Sequence, residues 1–237
     1  MKKMGFTGFP AAATAFLTEL AANNNREWFM ANKAVYEREV IAPFRLLLAD
    51  VISELAAREL PVSGDPAKAI FRIHRDVRFS KEKTPYKTHA GAVLSRNGGK
   101  VHAGVVYIHV DPAGSFLAAG FWQPEREALG ALREAIYTEP QRFADVQAGL
   151  RAAKLKLDDS DSLTRTPRGF EDAVGTSAEA ALRLKSFMVR RPVTSARLGS
   201  AKLVGDVVSF AEQALPLLQF GWNAISVLDP TDLKRQR

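Results

Sequence analysis

From Glu27 to Leu60 the apolar positions recur every three or four residues: Trp28, Phe29, Val35, Val40, Phe44, Leu47, Leu48, Val51, Ile52 and Leu55. That spacing puts them on one stripe of a helix. Pro43 lies inside the pattern and has no N–H to give the helical ladder, so two helices or one kinked helix are expected. A shorter helix precedes them. Pro10 stands at an early helical position, where its missing N–H costs least. Phe16, Leu17 and Leu20 then form a stripe, and Asn23-Asn24-Asn25 ends it because Asn favours caps and turns over helix interiors.

Between Ala67 and Pro124 the pattern changes to short runs rich in Val, Ile, Phe and Tyr. AIFRIHRDV (69–77), HAGAVLSR (89–96), KVHAGVVYIHV (100–110) and SFLAAGFWQ (115–123) read as four strands. Asn97-Gly98-Gly99 is a hairpin signal between the second and third, and Asp111-Pro112-Ala113-Gly114 a turn between the third and fourth. Short connections between consecutive strands argue for antiparallel pairing. Helices resume with PEREALGALREAIY and PQRFADVQAGLRAA. Residues 154–170 read as a loop with a short strand, SAEAALRLK as a helix, SFMVRRPV as a strand, and the last forty residues as helices before a polar tail at 229–237. The expected fold is α+β: a central, mainly antiparallel sheet flanked by helices in a single domain over 1–237.

Composition narrows the chemistry. Apolar residues make up 46% and charged residues 25%, enough for a sizeable core. The chain has no cysteine, which removes disulfides, thiolate metal sites and Cys nucleophiles. The basic start, MKK, leads into an apolar run interrupted by Thr14, Thr18 and Glu19, which reads as an amphipathic helix and not a secretion signal. No stretch reaches the roughly 18 uncharged apolar residues of a membrane helix. A cytoplasmic location with no membrane partner is therefore expected.

The net charge is +7. A surplus of four positive charges lies in the nineteen residues FRIHRDVRFSKEKTPYKTH (71–89), which hold six Lys or Arg against Asp76 and Glu82. In an extended strand alternate side chains share a face. Phe71, Ile73, Arg75 and Val77 then fall on one side, and Arg72, His74, Asp76 and Arg78 on the other. Cations on one strand face repel unless solvated or opposed by anions, and a bound anion relieves the repulsion. The following SKEKTPYK loop adds Lys81, Lys83, Tyr86 and Lys87. Arg72, Arg75, Arg78, Lys83, Tyr86 and Lys87 are the candidate ligand-binding residues, since Arg offers two-pronged and Lys point-charge contacts to phosphate or carboxylate oxygens. His74 and Asp76 are the candidate acid–base pair, with the carboxylate fixing the imidazole tautomer. The alternative is that Asp76 and nearby acids pair these cations on a solvated surface.

Other signals are absent or weak. His102 and His109 lie seven positions apart in one strand, hence on opposite faces, so no metal site is expected and no cofactor is indicated. Gly98-Gly99 is explained as a turn and not a phosphate loop, and no nucleophile-elbow pattern occurs. A helix N-terminus following Gly120-Phe121-Trp122-Gln123-Pro124 would favour an anion.

FRIHRDVRFSKEKTPYKTH closely resembles the signature of a bacterial and fungal family catalogued as domain of unknown function 2461. NNNREWFMANKAVYEREVIAPF is similar to its N-terminal helical signature, VVYIHVDPAGSFLAAGFWQPEREALGALREAI to its sheet-and-helix segment, and TRTPRGF to its later Pro-Arg-Gly-Phe element. The resemblance covers most of residues 5–192 and leaves 193–228 as C-terminal helices. Glu82 stands where the family often has Asp, and the run after Phe170 diverges. The resemblance implies a single α+β domain and no particular activity. It draws attention to Arg168 as a further cation and to Asn24, Arg26, Glu27 and Trp28 as residues that cap and brace a helix.

The leading expectation is a protein that binds a small phosphate- or carboxylate-bearing ligand, as an enzyme or not. The alternative is a non-catalytic module for nucleic acid or an acidic protein. The compact cluster suits a small anion better than an extended backbone.

Overall fold

A computed structural model describes residues 5–100 and 103–227. His102 and the 229–237 tail lie outside them. Four strands, β1 (Ala90–Ser95), β2 (Val105–Val110), β3 (Ser115–Phe121) and β4 (Phe187–Val193), form one antiparallel sheet in the order β1-β2-β3-β4. The remaining regular structure is helical, so the class is α+β, as expected from the sequence. Among the described residues no helix is long and apolar enough to cross a membrane.

The chain clusters into two compact units. One draws on Met1–Lys100, Val106–Leu117 and Arg191–Phe210, the other on Val101–Val105, Ala118–Arg190 and Ala211–Arg237.

The first unit contains α1 (Ala11–Ala22), α2 (Arg26–Val35) and α3 (Ala42–Ala57). Asn25 caps α2 by accepting a hydrogen bond from the Trp28 N–H at 2.9 Å. The interruption predicted at Pro43 is a π-helical turn at Tyr36–Ile41, within which the chain continues from α2 into α3. Its wider ring sends the Ala42 N–H back to the Glu37 carbonyl, five residues away. Pro43 thereby falls directly after the π-turn, at the second residue of α3. Phe16, Phe29, Tyr36 and Phe44 are buried in this unit with the Leu and Val of the α3 stripe.

The predicted strand over 69–77 is not a regular one. Residues 69–75 pair only through isolated antiparallel bridges, Ile70 with Ala92 and His74 with Tyr86. Arg75 N–H donates to the Pro85 carbonyl and Lys87 N–H to the Ile73 carbonyl, both at 2.8 Å, flanking the second bridge. That pattern turns the N–H and C=O of Tyr86 away from residue 74. Pro85, with no N–H, cannot extend the ladder. The alternation nonetheless survives: Ile73 is buried, whereas Arg72, His74, Asp76 and Arg78 are exposed.

The second unit holds α4 (Arg126–Thr138), α5 (Pro140–Ala152) and α6 (Glu179–Leu182). A last long helix, α8 (Leu203–Ile225), follows the short α7 (Ser195–Leu198) and contributes residues to both units. Phe143, Phe187 and Phe220 pack together in the second unit, with ring centroids 5.1 to 6.4 Å apart. The strand expected within 154–170 reduces to single bridges, Leu157 with Val189 and Ser162 with Leu184. Gly120, at φ +128°, lies where β3 meets β4; a Cβ there would stand 1.9 Å from the Phe187 carbonyl oxygen.

Candidate functional site

The hairpin formed by residues 70–87 is anchored by Asn24. Its side-chain amide donates to the Tyr86 carbonyl at 2.9 Å and accepts from the Tyr86 N–H at 3.0 Å. Asn24 thus pairs with the outward-facing backbone of Tyr86 as a neighbouring strand would, while the cap expected of this segment comes from Asn25. The Tyr86 ring is buried and stacked on Phe29, 4.2 Å between centroids. Its place is in the core packing.

Most of the predicted cations are already engaged within the hairpin. Asp76 receives Arg78 through both oxygens, Nε to Oδ1 at 3.0 Å and a terminal nitrogen to Oδ2 at 2.7 Å. These bonds from Arg78 hold the Asp76 carboxyl down at about 2. The carboxylate that was to orient His74 is therefore committed to a guanidinium, and no hydrogen bond joins His74 to Asp76 among the described residues. His74 instead sets its ring beside Tyr86, at 5.1 Å. Arg75 pairs with Glu82 at 3.2 Å and bonds Thr84 Oγ1. Lys83 donates to the Val77 carbonyl at 3.0 Å. These contacts close the loop on itself.

Arg72 and Lys87 are arranged differently. Lys87 Nζ stands 5.3 Å from the centre of the Phe71 ring, and Lys100 Nζ, which the sequence reading passed over, stands 5.4 Å from it. Lys100 also donates to the Ile70 carbonyl. Burial lowers the Lys87 pKa, and the charges of Arg72 and Lys100 lower it further. Neither Arg72 nor Lys87 has an ion-pair partner among the described residues. Two ammonium groups thus stand over one aromatic ring, with the charge of Arg72 bearing on Lys87 and no carboxylate set against Lys87.

Arg168 belongs to the second unit, exposed in a turn where the Gly169 N–H donates to Glu171 at 3.0 Å. The helix after Pro124 is α4. Its start carries Glu125 at the cap position and Glu127 in the first turn, so carboxylates of its own occupy the electropositive end.

Next to Lys87 the first unit gathers a second group. His89 directly precedes β1; His109 is on β2 and Asp111 immediately follows it. Ligand atoms of these three side chains all lie within 4.8 Å of one another. His109 Nε2 is 3.4 Å from Asp111 Oδ2, and the two imidazole rings are 4.5 Å apart. His109 and Asp111 are largely buried, with 12% and 21% of their side chains exposed. Tyr107 Oη meets His109 Nδ1 at 2.9 Å, and Phe116 stacks on the same imidazole at 4.4 Å. Asp111 is held by its own turn: Oδ1 accepts the Ala113 N–H at 2.8 Å, leaving Oδ2 toward His109. Burial, with the Asp111 charge adding, pushes the Tyr107 phenol up to about 12, so it stays neutral near pH 7. Burial and the neighbouring His109 lower the His89 pKa.

Gly91 makes this arrangement possible. A Cβ at position 91 would lie 2.4 Å from Tyr107 Oη, in the space the phenol occupies while bonded to His109. The sequence signal for the cluster was Tyr107-x-His109-x-Asp111, whose alternate residues share a strand face. Spacing within one strand does not reveal it, because the third ligand, His89, comes from the residue just before the adjacent strand β1.

A family model described as a conserved hypothetical protein, domain of unknown function 2461, matches residues 12–220, and the chain belongs to that family. No significant match was found among curated proteins or among solved structures.

Proposed function

We propose that the protein binds a small oxyanion, a phosphate- or carboxylate-bearing ligand, at Arg72, Lys87 and Lys100. The observation that carries this reading is that Lys87 and Lys100 both stand over the Phe71 ring, with the charge of Arg72 bearing on Lys87 and no carboxylate set against Lys87. Like charges held together cost free energy, and a bound anion removes that cost. The Lys ammonium groups supply point charges and Arg72 a planar donor pair, a set suited to a small, compact anion. The rest of the basic segment supports the site: Arg75, Arg78 and Lys83 hold the loop through internal contacts. We place the protein in the cytoplasm, a reading supported by its cysteine-free chain.

The test is calorimetric titration and thermal shift with phosphate, citrate, sugar phosphates and mononucleotides, on wild type and on Lys87→Ala. A ligand at one hundred times its dissociation constant stabilises by about 2.7 kcal/mol. The expected result is a response to at least one small anion that falls at least tenfold in Lys87→Ala and is unaffected in Arg168→Ala. Absence of any response to these anions refutes the reading. So does tight, steeply salt-dependent binding of long nucleic acid alone, which instead marks a polyanion-binding module.

A further inference from the structure

We propose that His89, His109 and Asp111 form a binding site for one divalent first-row transition-metal ion, with Tyr107 as the positioning residue for His109. The site stands on its own geometry and does not rest on the anion reading.

Distances come first. Nitrogen and oxygen ligands lie about 2.0–2.2 Å from such an ion, so at octahedral or tetrahedral angles neighbouring ligand atoms are roughly 3.0–3.4 Å apart. The His109 Nε2 to Asp111 Oδ2 separation of 3.4 Å meets that requirement, and all three ligand atoms lie within 4.8 Å of one another. Small side-chain rotations bring the set to a common centre. An ordinary ion pair accounts for His109 beside Asp111. It does not account for a second imidazole whose ring is centred 4.5 Å from the first.

Preorganisation comes second. A metal-binding imidazole is usually held through its other nitrogen, which fixes the tautomer and the ring plane. Here Tyr107 Oη sits on His109 Nδ1, which leaves Nε2, the nitrogen facing Asp111, as the ligand atom. Phe116 stacked on the ring and Asp111 held through Oδ1 restrict the remaining freedom. Gly91 is the backbone counterpart, since any larger residue invades the Tyr107 hydroxyl.

The donor set indicates the kind of ion. Two imidazoles and one carboxylate, with no thiolate, suit Zn²⁺, Co²⁺, Fe²⁺ or Mn²⁺ better than the oxygen-seeking Ca²⁺ or Mg²⁺. Three protein ligands leave at least one coordination position open, as in sites that bind a further ligand.

The experiment uses the full chain, freed of metal by chelator dialysis and titrated with Co²⁺ in phosphate-free buffer. Binding is followed by visible absorption and calorimetry, with Zn²⁺ and Mn²⁺ in parallel. The expected result is one ion per chain. Affinity should fall at least tenfold in His89→Gln, His109→Ala and Asp111→Asn, and about tenfold in Tyr107→Phe, the range typical of a residue behind the ligands. Circular dichroism and urea midpoints establish that each variant is folded; if His109→Ala is not, His89→Gln and Asp111→Asn decide. Failure of the wild type to bind any of the three ions overturns the proposal, as does unchanged affinity in the folded ligand variants. Lys87→Ala is expected to keep its Co²⁺ affinity while losing the anion response, so the two readings fail separately.

Discussion

Asn24→Ala is expected to destabilise the first unit by about 2–3 kcal/mol. The substitution removes both hydrogen bonds that Asn24 makes to the Tyr86 backbone, at 2.9 and 3.0 Å. Each such bond has a net worth of about 0.5–1.5 kcal/mol, and a donor or acceptor stranded away from water costs roughly 1–3 kcal/mol. The Tyr86 groups are only part-buried, so water replaces some of the loss and the lower part of that combined range applies. Asn24→Asp should cost a similar amount. Its carboxylate still accepts from the Tyr86 N–H, but it has no N–H for the Tyr86 carbonyl and faces that oxygen with negative charge. Asn25→Ala is the comparison, since it removes a single cap worth about 1 kcal/mol. Urea unfolding of the three variants measures the differences, and amide exchange at Tyr86 locates them. If Asn24→Ala costs no more than Asn25→Ala, or if Tyr86 exchange does not quicken, Asn24 does not anchor the hairpin as described.

Two further outcomes follow from the packing and the titratable groups. Gly120→Ala should cost about 3 kcal/mol or more by urea unfolding, since a positive φ strains any other residue by roughly 1–3 kcal/mol and overpacking adds about 1–3; a cost below about 1 kcal/mol refutes the close approach to Phe187. Burial, followed by the Glu37 charge, raises the Tyr36 phenol well above the usual range. The neutral phenol's stabilisation is therefore complete below the unfolded value near 10 and is lost as pH rises above it. Tyr36→Phe should reduce the fall in urea midpoint between pH 9 and 11, and an unchanged fall would show that Tyr36 ionises freely in the folded state.

Helix content, the strands that became β1 to β4, and the two turns near Gly98 and Pro112 were legible in the chain because each depends on neighbours within a few residues. The outward row of Arg72, His74, Asp76 and Arg78 was legible for the same reason: alternation follows from an extended backbone whether or not a regular ladder forms. Partner choice was not legible. Asp76 was assigned to His74 by strand geometry, yet the flexible Arg78 side chain reaches it through two hydrogen bonds. The basic segment's charge, counted along the sequence, concealed that Arg75, Arg78 and Lys83 are engaged locally while Arg72 and Lys87 are joined by Lys100, which stands beyond β1.

By itself the sequence determined periodicity, the anchor residues of each element, the family and the concentration of positive charge. All of these are local or additive properties of the chain. Tertiary structure alone decided that Asn24 reaches across to Tyr86, that the Tyr86 ring is buried, and that His89 meets His109 and Asp111. Those contacts depend on how one strand registers against the next. Register is fixed by burial and by pairing between distant segments, which no spacing along one chain encodes.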